Sequence, residues 1–221
     1  MKPPQVIILI GPPGSGKGTQ GELLQKKFNF AYIGSGELLR MRKKKRDFTG
    51  KKIAQYIDKG KKVPVPVIFK MWMDKFELFK KNSKFKGVII DGSPRSLQEA
   101  EMLDQALEWY NWSKNKKVLF IKISPKESIW RLTKRRVCKS CSRVIPYIGE
   151  YRKLKKCDYC GGELISREDD ELKGIKERLN WFKTDVSPVI NYYRKKGELI
   201  EINGQQTIED VFKEILKMLR L

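Results

Sequence analysis

The chain has 221 residues, and its 48 Lys and Arg side chains outnumber 26 Asp and Glu side chains to give a formal net charge of +22. This length suits one α/β domain with insertions, and the charge favours anionic partners such as nucleotides, nucleic acids or acidic membranes. The absence of histidine excludes histidine-based acid–base catalysis, Ser-His triads and histidine metal ligands. Because the lysines are spread along the whole chain, we expect most of them to lie on a solvated surface.

The first apolar run, residues 6–10, is too short for a membrane span or a signal peptide, and we therefore expect a cytoplasmic protein with neither. The run predicts a buried strand. The stretch G-P-P-G-S-G-K-G-T at residues 11–19 follows it directly, and a helix is expected over residues 20–28. This order of strand, glycine loop and helix is typical of a phosphate-binding site.

In such a loop the backbone N–H groups converge on a phosphate, and glycines let the backbone approach without a Cβ in the way. Lys17 would add its charge at the β- and γ-phosphates. A glycine turn with a surface lysine is the ordinary alternative, and the upstream strand and the full G-x4-G-K spacing argue against it. The predicted ATP contacts of the loop are Gly14, Ser15, Gly16, Lys17, Gly18 and Thr19.

Gly18 stands where the general pattern has a serine or threonine whose hydroxyl holds Mg²⁺, and Thr19 comes one position later. We therefore expect Mg²⁺ to be held through phosphates and waters rather than by a loop hydroxyl. The G-K-G-T variant is similar to the loop of the nucleoside monophosphate kinases.

Five short apolar runs predict strands at residues 6–10, 31–33, 88–90, 118–123 and 199–202, and segments with helical spacing, such as 97–109 and 208–221, lie between them. The alternation predicts an α/β fold, a parallel sheet core with helices on both faces. A ligand site is expected beyond the carboxyl ends of the strands.

Two stretches interrupt the alternation, and both are interpreted as insertions. Residues 35–62 are basic and helical in pattern, and residues 134–170 contain all four cysteines. The cluster Lys43-Lys44-Lys45-Arg46 in the first stretch is interpreted as a solvated helix face rather than a targeting signal.

The cysteines form two C-x-x-C pairs, Cys138 with Cys141 and Cys157 with Cys160, separated by fifteen residues. This spacing predicts a structural zinc site with four thiolate ligands. Disulfides are disfavoured in a cytoplasmic chain, and ordinary buried cysteines seldom come in such pairs. So small a segment buries too little apolar surface to fold alone, and metal binding would supply the missing free energy. Four thiolates leave no open position, so the zinc is not expected to be catalytic.

Several separated motifs occur in a fixed order: the phosphate loop, S-G-E-L-L-R at residues 35–40, D-G-S-P-R at 91–95, R-R-V at 135–137, R-E-D-D at 167–170, and Arg178. Together they resemble the adenylate kinase family, specifically its long form with a zinc-bearing lid. The resemblance implies the Mg²⁺-dependent reaction ATP + AMP ⇌ 2 ADP. It also implies a core (residues 1–33, 64–133 and 171–221), a small helical monophosphate-binding insert (34–63) and a zinc-binding lid (134–170).

The same resemblance implies a role for each motif residue. Arg40 and Arg95 would clamp the AMP phosphate, and Arg131 would stack on the ATP base. Arginine suits phosphate because its planar fork donates two parallel hydrogen bonds. The implied catalytic cations are Lys17, Arg95, Arg135, Arg167 and Arg178. Further implied contacts are Arg131, Arg135 and Gln205 for ATP, and Ser35, Arg40, Val63, Gly92, Arg95, Glu99, Arg167 and Arg178 for AMP.

The carboxylates near the expected site have less specific roles. Asp91 ends the run at residues 88–90 beside the phosphate loop, where it would orient Mg²⁺-bound water. Asp169 and Asp170 follow Arg167 where the lid returns to the core. Contact with a ribose, a tether between lid and core, and a plain salt bridge all stay open for them.

Two positions depart from the family pattern. Ser93 replaces the usual phenylalanine of D-G-F-P-R, and Glu99 stands where a glutamine usually recognises adenine, with Gln98 one residue earlier. A glutamine can accept from the adenine amino group and donate to the ring nitrogen, whereas an ionised glutamate only accepts and suits the two donors of guanine. AMP is the leading acceptor, and another monophosphate, GMP especially, is the alternative.

Two other classes of function stay open. A zinc-ribbon protein with a phosphate loop could bind RNA through its charge, although Tyr147, Tyr151 and Tyr159 sit singly without a stacking motif. A nucleotide-triggered switch or ATPase is the other, and the ordered arginines favour transfer to a second nucleotide over hydrolysis. We expect a monomer that binds small-molecule nucleotides, with no specific nucleic acid or membrane partner.

Overall fold

The computed structural model describes residues 5–58, 61–167 and 170–220. Its centre is a five-stranded parallel sheet of order β2-β3-β1-β4-β8. The strands are β1 (Gln5–Ile10), β2 (Ala31–Gly34), β3 (Gly87–Asp91), β4 (Lys116–Lys122) and β8 (Leu199–Asn203). All four neighbouring pairs are parallel. This confirms the predicted fold class, and each predicted strand is found within two residues of its expected ends.

The helices on the sheet are α1 (Lys17–Phe28), α4 (Val65–Lys80), α5 (Leu97–Trp109), α6 (Pro125–Thr133), α7 (Leu172–Trp181), α8 (Ser187–Lys195) and α9 (Ile208–Leu219), with a π-helical turn Phe182–Val186 between α7 and α8. Helix α1 begins three residues earlier than predicted, because the helix starts within the phosphate loop. Helix α9 ends at Leu219, and Arg220 follows in a left-handed conformation that closes it.

Side chains of β1 alternate between two apolar cores, one on each face of the sheet. Val6 and Ile8 belong to the core that also contains Trp72 of α4, whereas Ile7 and Leu9 belong to the core of α1 and α9. All four β1 residues are buried. Each fully buried aliphatic side chain contributes about 1.5–3 kcal/mol, so burial on both faces explains why a continuous apolar run forms a central parallel strand.

The strand order is such that the chain crosses from β1 to β2 in one direction and from β3 to β4 in the other, so the connections diverge between β1 and β3. Ligands of open α/β sheets bind at this point, beyond the carboxyl ends of the strands. The phosphate loop follows β1 there, and Asp91 is the last residue of β3. The topology therefore puts these two predicted parts of the site side by side.

The basic stretch 35–62 forms two helices, α2 (Ser35–Lys43) and α3 (Phe48–Asp58), rather than one. Gly50 permits their close approach, since a Cβ there would lie 1.9 Å from the Lys45 carbonyl oxygen. The cysteine-containing stretch forms a small antiparallel sheet of order β6-β5-β7, from β5 (Arg136–Cys138), β6 (Val144–Ile145) and β7 (Leu164–Ser166). The sequence did not predict this sheet. The exact boundaries of core, insert and lid stay a prediction.

No helix within the described ranges combines the length and the apolar character needed to cross a membrane.

Candidate active site

The phosphate loop turns tightly between β1 and α1. Gly14 and Gly16 adopt φ of 80° and 93°, values that favour glycine. The Lys17 side chain folds back over the loop, and its Nζ donates to the carbonyl oxygens of Gly11 (2.7 Å) and Pro12 (3.0 Å). These two hydrogen bonds keep the Lys17 ammonium over the loop, where an anion could bind.

Charged side chains from distant parts of the chain act electrostatically on Lys17. Burial lowers the pKa of Lys17 to about 8; Asp91 opposes this shift, and Arg95 and Arg135 reinforce it. The structure thus brings four predicted site residues into one electrostatic neighbourhood. Two further cations at such close range favour an anionic ligand among them.

Asp91 faces the loop from the end of β3. Its Oδ2 accepts a hydrogen bond of 2.8 Å from the Tyr32 hydroxyl, and burial followed by the Asp91 charge raises the pKa of Tyr32. Oδ1 of Asp91 is buried with no hydrogen-bond partner among the described residues. A Cβ on Gly18 would lie 3.7 Å from Oδ2, so the position without a loop hydroxyl lies beside this carboxylate.

Two of the predicted arginines meet on Asp170. Arg135 donates from Nε and Nη2 to the two carboxylate oxygens at 2.7 Å each, and Arg178 donates from Nη2 to Oδ1 at 2.6 Å. The Asp170 side chain is only 4% exposed. Burial lowers the pKa of Arg135, Asp170 raises it, and Arg167 and Arg178 lower it. Asp170 therefore gathers the arginines, while Asp169 lies outside the described residues.

The D-G-S-P-R segment adopts a compact turn. Arg95 Nε donates to the Gly92 carbonyl at 2.6 Å, and the Ser35 hydroxyl bonds the Ser93 hydroxyl at 2.6 Å. The latter bond ties the start of α2 to this turn. Arg40 lies one helical turn from Gly36, with Nη1 3.2 Å from where a Gly36 Cβ would be. Val63 lies just before α4.

Helix α6 forms the other wall of the loop. The Ser128 hydroxyl donates to the Pro13 carbonyl. Arg131 is held by Glu127 (2.7 Å) and by the Gly204 carbonyl (2.8 Å), and Gln205 accepts from the Ser124 N–H at 2.8 Å. Gln205 also lines a cleft of about 420 Å³. The guanidinium predicted to stack on a base is therefore fixed by two oxygen partners.

The four cysteines come together as one cluster. Their sulfur atoms all lie within 4.8 Å of one another, with Cys138 Sγ 3.4 Å from Cys160 Sγ and Cys141 Sγ 3.7 Å from Cys157 Sγ. These separations are too long for disulfides and close to the roughly 3.8 Å between ligands of a tetrahedral ion with 2.3 Å metal–sulfur bonds. The Cys141 N–H helps to lower the pKa of Cys138 to about 6. The cluster could hold a metal ion.

Comparison with known proteins identifies the arrangement. The family model described as adenylate kinase matches residues 9–198. An adenylate kinase of Caldicellulosiruptor bescii is 41% identical over 96% of this chain and 98% of its own length. One from Archaeoglobus fulgidus is 39% identical over 95% of each chain, and one from Methanocella arvoryzae is 38% identical over 97% and 98%. The chain belongs to the adenylate kinase family.

The predicted family and the enzyme class, ATP:AMP phosphotransferase, are thereby confirmed, and the cysteine cluster agrees with the long form of adenylate kinase. The roles of individual residues stay predictions. Within the structure, Asp91, Arg95 and Arg135 act electrostatically on Lys17, Arg167 and Arg178 act on Arg135, and Arg135 and Arg178 share the carboxylate of Asp170.

Sequence reasoning missed one function of Glu99 that is independent of adenylate recognition. Glu99 is buried, and its Oε2 accepts a 2.7 Å hydrogen bond from the Arg95 N–H. Its own N–H donates to the hydroxyl of Ser96, the N-cap of α5. The S-x-x-E spacing in the sequence is typical of helix capping, although here the glutamate accepts from the N–H before the N-cap rather than from that of Ser96. Gln98, the candidate substitute, is exposed.

A cation–aromatic stack beside the cleft was also missed. Arg152 and Lys134 both lie over the rings of Trp130 and Tyr147 at 4.9–5.5 Å from the centroids. The stack joins α6 to the segment that carries the cysteines. Its members are far apart in sequence and belong to no motif, so no local pattern could have predicted it.

Proposed function

We propose that this chain catalyses reversible, Mg²⁺-dependent transfer of a phosphoryl group from ATP to AMP, with formation of two ADP. The observation that supports it most is that the charges of Asp91, Arg95 and Arg135 all act on the ammonium of Lys17, so that residues of three separate segments, the phosphate loop, the D-G-S-P-R turn and the R-R-V motif, form one electrostatic neighbourhood. Hydrolysis needs a site for one nucleotide and a water. Cations on both sides of a phosphate loop suit two phosphorylated substrates placed end to end.

On the donor side, the loop N–H groups and the Lys17 ammonium bind the ATP phosphates. Binding exchanges the carbonyl contacts of Lys17 for phosphate oxygens, so the lysine needs only a small movement. Arg131 projects from α6 to the Gly204 carbonyl, and Gln205 accepts from the N–H of Ser124 at the start of the same helix, so we place the nucleoside of ATP on this side.

On the acceptor side, Arg40 and Arg95 bind the AMP phosphate, whose oxygen is already an anion and needs no general base. Arg135, Arg167 and Arg178 then neutralise the charge that spreads over the migrating group, and Asp170 keeps two of them aligned before substrate arrives. In related chemistry one such arginine contributes about 10³–10⁵ in rate.

The residues present fit a hydrated Mg²⁺. Asp91 offers the buried oxygen Oδ1, which lacks a protein donor in the described structure, and Mg²⁺ prefers oxygen ligands and retains several waters. Gly18 leaves space where a hydroxyl ligand would otherwise stand. When bound, Mg²⁺ supplies charge neutralisation between the β- and γ-phosphates.

We further propose that the cysteine cluster holds structural Zn²⁺, in a lid (residues 134–170) that moves against a core and a monophosphate-binding insert (34–63). The four sulfur ligands support zinc because soft thiolates in a tetrahedral set suit it. With no fifth ligand position, the metal orders the lid and stays out of the chemistry. The enzyme is proposed to work as a monomer.

GMP is the second candidate acceptor, and the buried carboxylate of Glu99 is the observation that favours it. Burial raises the pKa of Glu99, while the Arg95 N–H and the Arg95 charge lower it. An ionised Glu99 would accept from the two adjacent donors of guanine and oppose the ring nitrogen of adenine. Its bond to the Arg95 N–H supports the alternative, a capping role that leaves AMP as substrate.

A coupled assay of ADP formation with AMP, GMP, CMP and UMP tests the proposal. We expect ADP formation that requires a monophosphate, with AMP the best acceptor, and no ATP consumption without one beyond slow hydrolysis. A preference for GMP would change the proposed acceptor, while the assignment as a nucleoside monophosphate kinase would stand. Salt-sensitive RNA binding without any phosphoryl transfer would instead support the alternative of an RNA-binding zinc-ribbon protein. Glu99→Gln provides the control, because it alters the base contact and retains a hydrogen-bond acceptor for Arg95.

A further inference from the structure

A lysine outside all the motifs joins the predicted acceptor insert to the far side of the core. Lys62 forms an ion pair with Asp185, which lies 123 residues later in the π-helical turn 182–186. The same ammonium lies 5.4 Å from the ring centroid of Trp181, the last residue of α7. The two contacts come from one side chain, and both connect the end of the insert to one short segment.

The position of this contact relates it to the acceptor side of the cleft. Burial lowers the pKa of Lys62, the charge of Glu99 opposes this and that of Arg95 reinforces it, so the ammonium interacts electrostatically with the D-G-S-P-R turn and the helix that follows it. Val63, the next residue, is a predicted acceptor contact. Trp181 follows Arg178 by three residues, so both project from neighbouring positions on α7. The contact of Lys62 with Trp181 therefore joins the end of the insert to the helix that carries Arg178.

Resting on the proposed function, we propose that Lys62 is a positioning residue: its contacts with Asp185 and Trp181 hold the acceptor insert closed on α7 and so set the affinity for the monophosphate. We call these three residues the insert latch. A latch of this kind changes the fraction of molecules whose acceptor site is assembled, and apparent affinity falls in proportion to that fraction. The donor site, on the other side of the phosphate loop, is unaffected.

The chain offers a matched control. Lys43 pairs with Asp58 in the same way, but both residues belong to α2 and α3 within the insert. The exposed fractions are similar, 46% and 33% for Lys62 and Asp185 against 38% and 57% for Lys43 and Asp58. Removing either lysine costs one partly exposed ion pair, and only the loss of Lys62 removes a contact between the insert and the segment of Trp181 and Asp185.

Steady-state kinetics of Lys62→Met, Asp185→Asn and Lys43→Met test the latch. We expect the first two variants to raise KM for AMP about five-fold, equal to about 1 kcal/mol when tenfold is 1.4 kcal/mol, with KM for ATP unchanged. Lys43→Met and the charge-conserving Lys62→Arg should stay within two-fold of wild type. The exchanged pair Lys62→Asp with Asp185→Lys should recover most of the loss. A general structural role would raise both KM values together, and that result would overturn the proposal.

Hydrogen exchange in the free protein gives a readout independent of activity. The Lys61 N–H is bonded to the Tyr56 carbonyl at 2.8 Å, immediately before the latch. Its exchange should become several-fold faster in Lys62→Met and stay unchanged in Lys43→Met. If wild-type protein shows this protection but transfers no phosphoryl group, the proposed function fails and the latch stands. If transfer is normal and neither exchange nor KM for AMP responds to Lys62→Met, the latch is wrong.

Discussion

The two insertions on the sheet are stabilised in different ways. Leu38 and Leu39 of α2 pack against the main apolar core, so the helical insert shares the core of the whole protein. The described residues of the cysteine-bearing segment, 136–166, contribute to neither apolar core. Their buried side chains are Cys138, Ile145 and Cys157. A cluster of four cysteines that could hold a metal ion thus stands where there is too little apolar surface to form a core.

The two insertions are also expected to contribute differently to the reaction. Arg40 on the helical insert is proposed to bind the AMP phosphate before transfer. Arg135 lies where the cysteine-bearing segment begins, and its partner Asp170 lies where that segment ends. We therefore expect the first insertion to control binding of the monophosphate and the second to control the rate of transfer.

The largest expected effect compares the two arginines directly. Arg135→Ala should lower kcat about 10³-fold or more with a smaller change in KM, since its guanidinium stabilises charge in the transition state. Arg40→Ala should mainly raise KM for AMP. Steady-state kinetics of both variants, with far-UV circular dichroism to verify the fold, make the comparison. Near wild-type turnover in Arg135→Ala, or equal effects of the two substitutions on kcat, would contradict it.

Metal removal is expected to have the next largest effect, and this effect should be confined to the cysteine-bearing insertion. Structural zinc contributes on the order of 10 kcal/mol of folding free energy in small domains, so chelation should unfold the cysteine-bearing segment and lower activity more than tenfold. The parallel sheet and α2–α3 should keep their hydrogen-exchange protection, because their cores hold no cysteine. Cys157→Ser should reproduce the loss without chelator. Full activity of metal-free protein would show that the cluster is dispensable.

The sequence predicted the parts of the fold that depend on local pattern. The apolar runs became the five parallel strands, and α5 spans the predicted residues 97–109, because capping at Ser96 and helical spacing lie close together in the chain. The C-x-x-C pairs predicted the cluster for the same reason. The contacts of Asp170 with Arg135 and Arg178, and of Lys62 with Asp185, depend on how distant segments fold together. A single sequence carries no local signal for such pairs.

A substitution in the helical insert tests this insertion independently of the cysteine cluster. Gly50→Ala would place a methyl group 1.9 Å from the carbonyl oxygen of Lys45, in the α2–α3 connection, and 2.9 Å from that of Arg42 at the end of α2, so α3 must move away from both. Such overpacking costs about 1–3 kcal/mol. We expect KM for AMP to rise several-fold while KM for ATP and the metal content stay unchanged. Thr49→Ala, the neighbouring substitution, is the control for a change in helix composition alone.

The last prediction concerns the phosphate loop of the core, and its effect depends on pH and is smallest near neutral pH. Burial lowers the pKa of Lys17 to about 8 in the free protein. Phosphates around the ammonium raise that pKa, so binding above pH 8 requires uptake of a proton. Affinity for ATP should be flat from pH 7 to 8 and should then fall by up to about tenfold per pH unit.

The free energy of unfolding should respond to Lys17 with the opposite sign. The unfolded chain holds the proton up to the ordinary pKa of 10.5, whereas the folded protein releases it near 8. Between these values the unfolded state binds more protons, so the contribution of Lys17 to the stability of the free protein rises with pH.

Titration calorimetry in buffers of different ionisation enthalpy measures the proton taken up with ATP. In Lys17→Met both dependences should vanish, and an uptake that persists in that variant would assign the proton to another group.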